Sequence, residues 1–86
     1  MNDKKKSVLY VALLFLRGYG VIDFIETQNE LSADDAFVEL SKDSTLDRFG
    51  EGIYEVSLMR EWWDDEKRRL IKAECLKKVV IEWEVE

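Results

Sequence analysis

"KKKSVLYVALLFLRGYG" (residues 4–20) sets three lysines ahead of nine unbroken apolar residues, Val8 to Leu16, in an 86-residue chain of net charge −6. A membrane-crossing helix needs about 20 apolar residues, so this run is too short. A secretory leader fits its outline, with Lys4–Lys6 as the basic part and Val8–Leu16 as the apolar part. Arg17 follows at once, however, and no Ala-x-Ala-like site is present. A strand buried on both faces accounts for the run best.

The next residues, "VIDFIET" (21–27), supply that strand's partner. Gly18-Tyr19 has glycine first, the pattern of a two-residue type II′ turn. Such a turn pairs Leu16 with Val21, Phe15 with Ile22, Leu14 with Asp23, Leu13 with Phe24 and Ala12 with Ile25. Strand side chains alternate between faces. One face then holds Val11, Leu13, Phe15, Ile22 and Phe24, and is expected to be the core. The other holds Tyr10, Ala12, Leu14, Leu16, Val21 and Ile25, with Asp23 among them. It is too apolar to be simply wet. Tyr10, Leu14, Leu16 and Ile25 are therefore the candidate dimer or partner face.

Downstream, "LSADDAFVELSKD" (31–43) predicts a helix, with Ser32 as N-cap and Asp35 at the third position. Ala33, Ala36, Phe37 and Leu40 recur at helical spacing and are expected to face the sheet. A break near Ser44 leads to a short turn that carries Leu46 and Phe49 inward. "IYEVSLMREWW" (53–63) alternates as a strand, with Tyr54, Val56, Leu58 and Trp62 on one face. Ile53, Glu55, Ser57, Met59, Glu61 and Trp63 lie on the other. "VVIEWEVE" (79–86) alternates too, with Val79, Ile81, Trp83 and Val85 inward and Glu82, Glu84 and Glu86 outward.

Residues 64–78 read two ways. Asp64 or Asp65 suits a helix cap. On a helical wheel the apolar residues scatter, whereas Ile71, Ala73 and Cys75 alternate cleanly with Lys72 and Glu74. A hairpin with an irregularity near Lys77-Lys78 is favoured, and a helix stays open. The expected architecture is one α+β domain over residues 1–86, of order ββαββ(β) with a flexible tail at 1–6. One helix packs on an antiparallel or mixed sheet, in a β-grasp-like or simpler arrangement.

Composition narrows function by removing chemistry. The chain has no histidine and one cysteine. It therefore lacks the commonest general base and metal ligand, and has no internal disulfide. A cytoplasmic setting is expected. Cys75 shares the apolar parity of its strand and is expected to be buried. No phosphate-binding loop is present, and neither a cofactor nor a metal is expected. Asp64, Asp65 and Glu66 lack the spacing of a calcium loop. With a pI near 4.7, direct nucleic-acid binding is not expected either.

Charge is unevenly placed. Residues 21–47 hold eight acids and one base, Lys42, so this third of the chain carries −7. Within it, Asp35, Glu39 and Asp43 lie at i, i+4 and i+8 of the expected helix, so they share one acidic stripe. Met59 and Trp63 form a second candidate contact, on the outward parity of their strand. The expected function is stoichiometric protein–protein binding without catalysis. Its most concrete form is an inhibitor of a basic, nucleic-acid-binding machine, of the anti-CRISPR-like sort that mobile elements encode. The alternative is a homodimeric subunit or adaptor with a sheet-face seam.

Overall fold

The computed structural model describes residues 6–85. The expected tail at 1–6 falls outside them except for Lys6, and so does Glu86. Lys6 opens β1 (Lys6–Leu16), and the chain continues through β2 (Gly20–Thr27), α1 (Glu30–Leu40), α2 (Asp43–Phe49), β3 (Gly52–Asp64) and β4 (Arg69–Trp83). The four strands form one antiparallel sheet in the order β2-β1-β3-β4. The class is α+β, with two helices in place of one. Residues 64–78 are the β3–β4 hairpin, and its ladder is irregular twice, at Leu76 opposite the junction of Leu58 and Met59 and at Ile71 opposite that of Trp62 and Trp63.

The β1–β2 register agrees with expectation over Ala12↔Ile25, Leu13↔Phe24 and Leu14↔Asp23. Beyond Leu14 it slips by one, to Phe15↔Val21 and Leu16↔Gly20. The cause is the turn: three residues, Arg17 to Tyr19, stand between the strands, and the Tyr19 amide donates to the Leu16 carbonyl at 2.9 Å. Gly18 and Gly20 take φ of 94° and 98°, which only glycine accepts readily. The extra residue is absorbed as a bulge at Ile22.

The helices settle on the face that holds Tyr10, Ala12, Leu14 and Leu16. Leu14 and Ala12 are fully buried, and Tyr10 and Leu16 nearly so, beside Tyr54, Val56 and Leu58 of β3. Here the expectation is reversed: these residues are core, and Ile25 packs against them. The opposite face, expected to be core, carries no covering element among the described residues. Only Val11 there is buried, while Phe15 and Phe24 stay exposed.

Close packing explains the choice. Ala12 on the sheet and Ala33 and Ala36 on α1 are all buried in one cluster, and side chains this small let the helix backbone come near. Asp23, which argued against this face as core, sits at its margin and reaches Arg48 of α2 at 3.5 Å. Ala33, Ala36, Phe37 and Leu40 face the sheet as expected.

The cap differs from expectation. Asn29, not Ser32, caps α1, its Oδ1 accepting from the amides of Leu31 and Ser32 at 2.8 and 3.3 Å. At the other end the Ser41 hydroxyl donates to the Phe37 carbonyl at 2.9 Å, ending the helix. Thr45, which is buried, donates to the Glu39 carbonyl at 2.7 Å and pins α2 to α1. Leu46 is buried as expected, whereas Phe49 is 38% exposed.

Candidate functional site

On the bare face, call it the back, β1 contributes an unbroken spine of Leu9, Val11, Leu13 and Phe15. The register places Val21 and Phe24 of β2 on one side of it, and Met59 and Trp63 of β3 on the other. Val80, Cys75, Ala73 and Leu70 of the edge strand β4 complete the face. Exposure reaches 55% at Phe24, 57% at Val80 and 44% at Leu70. With Phe15 and Val21 these side chains expose on the order of 500 Å², within the range of the largest apolar patch on a typical monomer, which is often functional.

The polar residues lie around that spine. Glu26 stands on the β2 edge, and Glu55 meets Lys78 at 3.6 Å. The Trp63 indole N–H donates to Glu61 at 3.0 Å, which satisfies its polar end and leaves its rings among the apolar group. Met59 and Trp63 thus lie on one surface with the spine. Strand parity makes both legible in sequence. Phe15, Phe24 and Leu13 were missed as surface residues because the two faces of β1 are nearly equally apolar. Cys75, expected to be buried, is exposed on this face at the open edge.

Other candidate residues part company. Tyr10, Leu14 and Leu16 are locked under the helices and offer no surface, and Ile25 is half-buried against the same core. The acidic stripe is also broken. Asp35 and Glu39 belong to α1, whereas Asp43 begins α2 after the Ser41 stop. Glu39 is engaged by Lys42 at 2.9 Å, and neighbouring Asp34 by Lys77 of β4 at 2.7 Å. Asp35 and Asp43 remain exposed acids on the helical layer.

Two groups show shifted proton affinity. Tyr54 is fully buried, and desolvation raises its pKa; its hydroxyl donates to the Gly50 carbonyl. Arg60 holds its proton more tightly than usual, first through its hydrogen bond to Glu74 at 2.5 Å and then through Tyr10. Both serve structure. No cluster of three or more potential metal ligands occurs among the described residues. Nor is any helix among them long and apolar enough to cross a membrane.

Comparison with protein-family models, with curated proteins and with solved structures gives no match. The functional reading therefore rests on geometry alone.

Proposed function

We propose that this chain is a non-enzymatic binding protein whose bare sheet face docks a partner protein. The observation that carries this reading is the sheet face without a covering helix, where Phe15, Val21, Phe24, Leu70 and Val80 are exposed around the β1 spine. Apolar area of this size costs about 25 cal/mol per Å² when left in water. A partner that covers it gains that term, and aromatic residues such as Trp63 are favoured as binding anchors. Glu26 on β2 and Glu55 and Glu61 on β3 set polar groups beside the spine for hydrogen bonding with the partner.

A second reading is the inhibitor that grips a basic, nucleic-acid-binding machine by the helical layer. The exposure of Asp35 and Asp43 favours it. It stands second because Lys42 and Lys77 already neutralise Glu39 and Asp34 within the chain.

Quantitative affinity capture from the native host tests the first reading, with wild type compared to Phe24→Glu and Trp63→Ala. Both variants are expected to keep the wild-type melt by circular dichroism, and to lose a captured partner by more than tenfold. Equal capture by all three proteins would remove the back face as the docking surface. Loss of the partner only in Glu39→Lys/Asp43→Lys would move the site to the helices.

A further inference from the structure

The sheet outruns its helices. The molecule extends over 58 × 26 × 18 Å, and the helix-covered core reaches no further than Val8 on β1 and Leu58 on β3. From Trp62, which pairs with Val8 at the margin of that core, a three-stranded ribbon runs outward with a bare front as well as a bare back. On that front Trp62 has the Arg60 guanidinium 4.9 Å and the Lys72 ammonium 4.8 Å from its ring centre. With Lys6 and Ile71, Trp62 and Lys72 line a depression of about 320 Å³. Its character is apolar at the floor and cationic at the rim. Glu74 already pairs with Arg60 on this front, so its cationic character rests on Lys6 and Lys72.

The outer ridge of α1 has the matching character. Ala33, Ala36 and Leu40 point down to the sheet, so at 100° per residue Leu31, Asp35 and Val38 point away from it. Leu31 is 81% exposed and Val38 54% exposed, with the carboxylate of Asp35 between them. The lengths match as well. Eleven helical residues span about 16 Å at 1.5 Å each, and the five residues from Arg60 to Asp64 span about 16 Å of strand.

We propose that two copies of this chain associate front to front and antiparallel. The α1 ridge of each lies on the Trp62 ribbon of the other. The contact is isologous, so it is made twice and closes. Each footprint is about 16 Å by three strand spacings of about 4.8 Å. Counting the surface lost by both partners, the two contacts bury about 900 Å² in total, just below the roughly 1,000 Å² of a specific, stable interface. The dimer is accordingly weak, and salt-sensitive through its charge pairing. Both back faces point outward, so the proposed docking surface remains free and is presented twice.

Sedimentation velocity from micromolar to millimolar concentration tests this, with folding of each variant checked by circular dichroism. Wild type is expected to dimerise, and to do so less as salt rises. Asp35→Lys alone and Lys72→Glu alone should each raise the dimer Kd at least tenfold. The combined Asp35→Lys/Lys72→Glu protein should regain most of the loss, since each contact again pairs opposite charges. Phe24→Glu, on the back, should leave the dimer unchanged, which separates this inference from the docking reading. A wild type that stays monomeric to millimolar concentration overturns it. So do single reversals without effect, or a dimer dissolved by Phe24→Glu, which would put the seam on the back face.

Discussion

Leu13 and Leu14 are adjacent, identical in type and part of the same central strand, yet their surroundings are opposite. Leu14 lies between Asp23 and Val56 under the helical layer and is fully buried. Leu13 lies between Phe24 and Ser57 on the back, half-buried by its neighbours alone. The hydrophobic effect is the same for both side chains. What differs is whether a helix comes down on them, and that depends on the small residues around each. Ala12 lies two positions from Leu14 on the front and shares its buried cluster with Ala33 and Ala36. On the back, the positions flanking Leu13 along β1 are Val11 and Phe15, and no small-residue helix face is offered to them. A folded chain thus keeps one apolar face for its core and leaves a second one for something else.

Alanine at the two positions tests that contrast most severely. Leu14→Ala is expected to cost about 2–5 kcal/mol, because it removes packed methyl groups and leaves a cavity under the helices. Leu13→Ala is expected to cost less than about 1.5 kcal/mol, since no helix lies over it and its removal leaves no enclosed cavity. Urea denaturation of both variants reads the difference directly. Equal losses would mean that the back face is as well covered as the front.

Alkaline pH loads the front face through Tyr54. Burial raises the Tyr54 pKa above its ordinary value of 10.0, so the unfolded chain gives up this proton before the folded one does. Its contribution is fully present below pH 10 and is lost as pH rises through the folded value. Urea midpoints measured upward from pH 9 should therefore fall more steeply for wild type than for Tyr54→Phe. Parallel curves would assign the alkaline loss to other groups.

Strand content, the β3 and β4 alternation and most of the β1–β2 pairing were legible in sequence, because a period of two survives wherever one face is buried. Three things were not. Which face of β1 takes the helix was hidden, since both are apolar and the one charge, Asp23, lies on the covered side. Its escape to Arg48 depends on α2, a helix too short for periodicity to show. The acidic stripe failed for the same reason: Asp35 and Glu39 are on one helix, but Ser41 turns its hydroxyl back on the Phe37 carbonyl and Asp43 starts another. Met59 and Trp63 were placed on the correct side of β3. That parity alone does not reveal that Phe15 and Phe24 belong with them, because the apolar pattern of β1 and β2 points to the opposite face as the exposed one.

The smallest expected effect concerns the entry to the covering layer. Ser32 has the residue type and spacing of a helix cap, three before Asp35, and Asn29 has neither an acid at its third position nor an apolar residue just before it. Yet Asn29 does the capping, with its own amide held by Thr27 Oγ1 at 3.1 Å. The Thr27 contact explains the choice. It fixes Asn29 at the end of β2, so the helix begins as soon as the strand releases the chain, and Glu30 falls in the positive first turn. Starting at Ser32 instead would leave Glu30 and Leu31 as a longer connection. Asn29→Ala is therefore expected to lose about 1 kcal/mol, the usual worth of an N-cap. Ser32→Ala, inside the first turn, is expected to change stability by less than about 0.5 kcal/mol, as exposed substitutions do. Differential scanning of the two variants should show a lower Tm for the first only. The reverse order would return the cap to Ser32 and shorten the helix that covers Leu14 by one turn.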